Sequence, residues 1–126
     1  YVHGAIEKNI GKIISIVKIS KTTNTSEVGT KLAMHIAATN PLSIDKNDLN
    51  KDLLDKELEI IKAELLNSGK KAEMIEKISQ GKLNKFISDN TLLNQVWIMD
   101  PKLKVSNVLK DCKVLDYIRY KVGEGV

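Results

Sequence analysis

The histidines His3 and His35 and the single cysteine Cys112 are the side chains best suited to metal or nucleophilic chemistry. A zinc site needs three or four ligands at suitable spacing, and Cys112 lies far along the chain from both histidines. A serine hydrolase needs an activated nucleophile, and the chain has no Gly-x-Ser-x-Gly sequence. The sequence therefore predicts no catalytic residue, no metal and no cofactor.

Phosphate recognition is also disfavoured by the sequence. Gly11, Gly29, Gly69 and Gly81 are isolated, and none belongs to a Gly-x-x-x-x-Gly-Lys loop. The net charge is +4, but Arg119 is the one arginine among 20 basic residues, and the lysines are spread over every segment. Because arginine forks normally carry phosphate and guanine recognition, we expect neither direct nucleotide binding nor a nucleic-acid partner.

Length and composition suit one domain. No run approaches the roughly 20 apolar residues that span a bilayer, so we expect no membrane partner. A lone cysteine excludes an internal disulfide, and the simplest compartment is the reducing cytoplasm. Because the 126-residue chain begins at Tyr1 without an initiator methionine, we expect a fragment of a longer protein.

Alternating residues predict three strands. Residues 1–6 and 12–19 flank a turn at 7–11, and residues 113–122 alternate again. In the last strand, Val114 and Ile118 fall on one side and Tyr117 and Arg119 on the other. We expect an antiparallel sheet of at least three strands.

Helical spacing predicts one helix from Ser26, its expected cap, to Thr39, just before Pro41. Its last turns carry Ala37 and Ala38, small residues that permit close approach. A short capped helix is expected over 106–110.

A hairpin of two long helices is predicted over about 50–89. Asn50 should cap the first helix, Gly69 should close it in the left-handed conformation, and the second should start near Lys71. Gly81 should weaken the middle of the second helix, where we expect a kink or break. The predicted class is α+β, an antiparallel sheet packed by helices with a projecting helical hairpin.

The first helix of this hairpin has a narrow apolar seam formed by Leu54, Leu58, Ile61 and Leu65. Such a seam is typical of a helix that meets one partner helix, and the two helices of the hairpin can satisfy each other. Residues outside the seam, among them Leu53, Ile60 and Leu66, would then be exposed, and exposed apolar patches usually mark interfaces.

Five segments carry a further signal: residues 1–4, 33–41, 68–86, 97–101 and 122–125. In this order they resemble the bacterial elongation factor Ts family, whose members exchange the guanine nucleotide of elongation factor Tu, and the resemblance covers essentially the whole chain. It implies that residues 1–126 are the family's second core subdomain, the dimerisation subdomain.

The resemblance also implies roles for particular residues. The matching segments in the family face domain 3 of elongation factor Tu, so His3, Gly4, Met34 and His35 are implied as partner contacts. The helical hairpin is implied in self-association, which would make this chain part of a homodimer. The implied self-association residues are Leu53, Leu54, Leu58, Ile60, Ile61 and Leu65.

The chain departs from the family at the exchange motif, Thr-Asp-Phe-Val. The corresponding stretch is residues 17–24, Val-Lys-Ile-Ser-Lys-Thr-Thr-Asn. The family carries this motif in the first of two core subdomains, so a match to the second accounts for its absence. We expect this chain to dock elongation factor Tu while contributing little to GDP release, and we expect no covalent catalysis.

Two alternatives remain at this point. The chain could be a helical-hairpin interaction adaptor with no role in translation. It could also be a small hydrolase that uses His35 with Asp45 or Asp48.

Overall fold

The computed structural model describes residues 1–20, 25–110 and 112–124. Three antiparallel strands form one sheet in the order β1-β2-β3, with β1 at Val2–His3, β2 at Ile13–Ile19 and β3 at Val114–Lys121. Together with the helices, the sheet confirms the predicted α+β class.

The two faces of the sheet differ from the prediction at one position. Ser15 pairs with Arg119 and Val17 with Tyr117 on the inner face, and an irregularity follows Lys18. Because this bulge shifts the register, Val114 packs against the core. The predicted placement of Val114 on the side of Ile118, which is 44% exposed, is therefore wrong.

Helix α1, Thr25–Thr39, covers the inner face of the sheet. Ser26, the predicted cap, lies inside the helix, and the residues directly before Thr25 are outside the described ranges. Leu32 and Ile36 on α1 are completely buried. They belong to a core with Leu92, Trp97, Val105, Leu109 and Cys112.

The predicted helical hairpin is confirmed as α2, Lys51–Asn67, and α3, Ala72–Asn90. The Asn50 side chain accepts a hydrogen bond from the N–H of Asp52 at 2.9 Å, which satisfies one of the free donors of the first turn. Gly69 has a φ of 79°, so the predicted left-handed ending of α2 is confirmed. The hairpin has its own core of Ile61, Leu65, Ile75, Leu83 and Ile87.

The predicted break at Gly81 is absent, because α3 is one continuous helix. Ser79, Leu83 and Ile87 are buried along the inner side of α3, while Gly81 is exposed. Packing of the buried side against α2 holds the helix together despite the unfavourable propensity of glycine.

Shorter elements join these parts of the fold. Single 3-10 turns lie at Lys46–Asp48 and Leu92–Asn94. Helix α4, Val105–Leu109, begins one residue before the predicted short helix. Within the described ranges, none of the helices is both long and apolar enough to cross a membrane.

Candidate functional site

A cleft of about 470 Å³ opens where the edge of the sheet meets the side of α1. His3 from β1 and Met34 from α1 both line it, so the structure brings together two of the four implied contact residues. Ile98 closes one side, and Arg119 and Lys121 from β3 close another. The cleft thus has an apolar lining beside basic side chains.

His3 lies at the exposed edge of the cleft, where Tyr1 supports its ring. The Tyr1 hydroxyl is 3.0 Å from His3 Nδ1. Gly4 follows with a φ of 64°, which a residue with a side chain rarely adopts. A Cβ at Gly4 would lie 3.4 Å from the Lys12 side chain, so glycine also lets the two hairpin arms approach each other. Backbone geometry is thus a second reason for glycine at this position.

The α1 side of the cleft is formed by Met34, Ala37 and Ala38. Met34 is half-buried, Ala37 is buried and Ala38 is exposed. Because the two alanines project little beyond the helix backbone, a partner surface can come close to α1 here. Methionine beside them provides a flexible apolar side chain that adapts to the shape of what binds.

Arg119 ties α1 to the sheet. Its Nε donates a hydrogen bond to the carbonyl oxygen of Ala37 at 3.1 Å, and its Nη1 lies 3.2 Å from a Glu124 carboxylate oxygen. A positive charge beside the carbonyls in the last turns of a helix is also favourable to the helix dipole. The one arginine of the chain is therefore engaged within the fold.

His35 is completely buried, unlike His3. Its Nε2 lies 2.9 Å from the Gln95 side-chain oxygen, and its Nδ1 accepts from the N–H of Ile98 at 3.3 Å. These partners require the neutral tautomer with the proton on Nε2. The ring also stacks on Trp97, with centroids 5.1 Å apart. Burial lowers the pKa of His35, and the hydrogen bond with Gln95 opposes that shift.

The hydrolytic pairing of His35 with Asp45 or Asp48 is wrong. Both ring nitrogens of His35 are occupied by Gln95 and Ile98. Asp45 and Asp48 instead form a capping box around the 3-10 turn. Within the described residues, no group of three His, Cys, Asp or Glu side chains could hold a metal ion.

The six implied self-association residues divide into two groups. Ile61 and Leu65 are buried in the hairpin core, and Leu54 and Leu58 pack against it. The seam of α2 is therefore used against α3 within the chain. Leu53 and Ile60 remain on the outside, 37% and 52% exposed.

The two residues that bond to the His35 ring do not stand out in the sequence. Gln95 and Ile98 lie 60 and 63 positions from His35 along the chain, a separation that local spacing cannot reveal. Arg119 and Lys121 do carry a signal, because alternation places both on the strand face that packs towards α1.

The family model described as elongation factor TS matches residues 1–124. The protein named elongation factor Ts from Psychrobacter arcticus is 45% identical over 112 residues, covering 87% of this chain and 38% of the relative. That from Bdellovibrio bacteriovorus is 39% identical over 139 residues, covering all of this chain and 44% of the relative. The chain thus spans less than half the length of these relatives. It belongs to the elongation factor Ts family.

Proposed function

We propose that this chain is the second core subdomain of an elongation factor Ts and that it docks elongation factor Tu through the cleft beside His3. The complete factor would promote GDP release in the cytoplasm during translation. In this proposal the chain contributes binding of domain 3 of elongation factor Tu. It makes no covalent chemistry and binds neither nucleotide, nucleic acid nor membrane itself.

The observation that carries the proposal is the shared cleft. His3 and Met34 come from distant parts of the chain, and the resemblance to the family implies each of them as a contact through a separate matching segment. In the fold both line one accessible depression with Ala37 and Ala38 beside them. The exposed His3 ring, the flexible apolar side chain of Met34 and the small alanines of α1 suit binding of a protein surface better than binding of a small polar ligand.

His35 has an indirect role in this proposal. Its ring is buried and bonded to Gln95 and to the N–H of Ile98, so it does not reach a partner without leaving these contacts. Because Ile98 lines the cleft, His35 holds one wall of the docking site in place. Gly4 also has an indirect role, because its left-handed backbone conformation shapes the hairpin that carries His3.

Nucleotide exchange requires preferential binding of the nucleotide-free state, since a factor that binds both states equally shifts nothing. The family's exchange motif has no counterpart in residues 17–24, and residues 21–24 of that stretch lie outside the described ranges. We therefore assign anchoring to this chain and exchange to the rest of the factor.

The hairpin supplies the proposed self-association. Its interior is closed by α3, so a second copy would meet the outer residues Leu53 and Ile60. The resemblance supports this role, and both side chains are exposed on the surface of the described chain, where a second copy can contact them.

The docking proposal is tested by the affinity of the complete factor for nucleotide-free elongation factor Tu. We expect His3→Ala with Met34→Ala to weaken binding about tenfold or more, which is about 1.4 kcal/mol. Met74→Ala is the matched control, since Met74 is 49% exposed on the helical hairpin. Equal affinities of all three proteins would overturn docking through this cleft.

A further inference from the structure

The tip of the β1–β2 hairpin, residues 5–11, presents two isoleucines to solvent. Ile6 is 77% exposed and Ile10 is 54% exposed. Neither belongs to either of the two cores of the described residues. Placing two large apolar side chains on a short turn gives the fold no packing benefit, so a role outside the folded chain is the better explanation.

The tip is held in one conformation by its backbone. The N–H of Ile6 donates to the carbonyl of Ile10 at 2.9 Å, and the N–H of Ile10 donates to the carbonyl of Glu7 at 3.0 Å. Asn9 supports the turn with a φ of 65°. An ordered tip presents its side chains without a large entropic cost on binding.

Gly11 permits a close backbone approach at the base of the tip. A Cβ at Gly11 would lie 2.7 Å from the carbonyl oxygen of His3 and even closer to the Val2 side chain. The hairpin arms therefore touch at the base of the tip. Ile6 also follows His3 and Gly4 closely in the chain, and these two residues belong to the segment 1–4 that is implied in docking.

Lysines outnumber carboxylates around the tip and the neighbouring side of the cleft, where Glu7 is the one acidic residue of the tip. Lys8 and Lys12 are exposed on the hairpin, and the exposed Lys121 lines the cleft. In the described part of the chain, the basic residues in ion pairs are Lys31, Lys62 and Arg119. Lys8, Lys12 and Lys121 form no ion pair there. A matching surface would carry carboxylates around an apolar depression.

We infer that the β1–β2 tip is a second contact with the protein that occupies the cleft, with Ile6 and Ile10 entering an apolar pocket bordered by carboxylates. This inference rests on the proposed function, because it assigns the tip to the same partner. Because the tip is continuous with residues 1–4, this partner is favoured over a second copy of the chain, whose proposed contact residues lie on the helical hairpin.

The test uses the complete factor and nucleotide-free elongation factor Tu. We expect Ile6→Ser with Ile10→Ser to raise the Kd about tenfold or more. The matched control is Met74→Ser with Leu115→Ser, a pair that is 49% and 53% exposed and that belongs neither to the cleft lining nor to the implied self-association residues. Thermal melting of each variant verifies that the fold is intact, which the exposure of all four side chains predicts.

The contribution of the lysines is tested by the salt dependence of binding. Lys8→Gln with Lys12→Gln should reduce the dependence of the Kd on salt concentration, because the contacts removed are screened by ions. An unchanged salt dependence would overturn the carboxylate border of the pocket.

The outcomes separate the inference from the proposed function. Weaker binding by both the tip pair and the His3 and Met34 pair supports both. Weaker binding by the His3 and Met34 pair alone overturns the tip contact and leaves the cleft standing. Weaker binding by the tip pair alone supports the tip and overturns the cleft, and unchanged binding throughout overturns both.

Discussion

Nδ1 of His35 accepts a hydrogen bond from the backbone N–H of Ile98 at 3.3 Å. This bond links the buried side of α1 to a residue that lines the cleft. The other ring nitrogen holds Gln95, whose side-chain amide donates to the carbonyl of Asp89 at 2.9 Å near the end of α3. One buried imidazole thus connects the cleft, α1 and the base of the helical hairpin.

Replacing His35 by alanine should lower the free energy of unfolding by about 2 to 4 kcal/mol. The change opens a cavity beside Trp97 and leaves the Gln95 oxygen with fewer partners in a buried place. Urea unfolding measures the loss. His3→Ala, at an exposed position, serves as the control and should change stability by less than about 0.5 kcal/mol.

Stability should depend on pH through His35. Because its pKa is lowered from the ordinary value of 6.5, the unfolded chain binds the proton more readily than the folded chain does. The unfolding free energy should therefore hold its full value above pH 6.5 and fall as the pH drops through 6.5 towards the lower folded pKa.

Urea unfolding at several pH values measures this dependence. In His35→Gln the contribution should disappear, and in His3→Gln it should persist. An identical slope in wild type and His35→Gln between pH 7 and pH 5 would rule out His35 as its source.

Gly81→Ala should stabilise the chain by about 0.5 to 1 kcal/mol. A Cβ at Gly81 would meet nothing within 4 Å, and the helix is continuous there. Thermal melting of wild type and variant checks the prediction. Gly11→Ala is the contrast, because a Cβ there would lie 2.7 Å from the His3 carbonyl oxygen and should destabilise the hairpin.

Sequence predictions are correct here where the structure depends on residues close in the chain, and they are wrong where it depends on packing between distant residues. The predictions for Asn50 and Gly69 are correct because a cap and a left-handed ending depend on immediate neighbours. The predicted break at Gly81 is wrong because packing of α3 on α2 outweighs one residue's propensity.

The candidate site shows the same limit. His3 and Met34 follow from the matching segments, but the local pattern around His35 does not identify Trp97, far along the chain, as the side chain on which its ring stacks. The predicted side of Val114 is wrong because a bulge cannot be read from alternation alone.

Leu53→Glu with Ile60→Glu should shift the complete factor towards monomer if the hairpin mediates self-association. The two introduced carboxylates would lose their hydration when the interface buried them, which is costly without cationic partners. Sedimentation over a range of concentrations measures the shift. Ile61 is unsuitable for this test, because its burial in the hairpin core means that a charge there would disturb the fold itself. A wild-type factor that is monomeric at high concentration would contradict self-association.

The docking role is tested most directly by measuring two properties of residues 1–126 together. One is binding to nucleotide-free elongation factor Tu, and the other is the rate of GDP release from elongation factor Tu with and without this chain. We expect binding with little acceleration of release. Absence of binding would contradict the docking role, and strongly accelerated release would contradict the assignment of exchange to the rest of the factor.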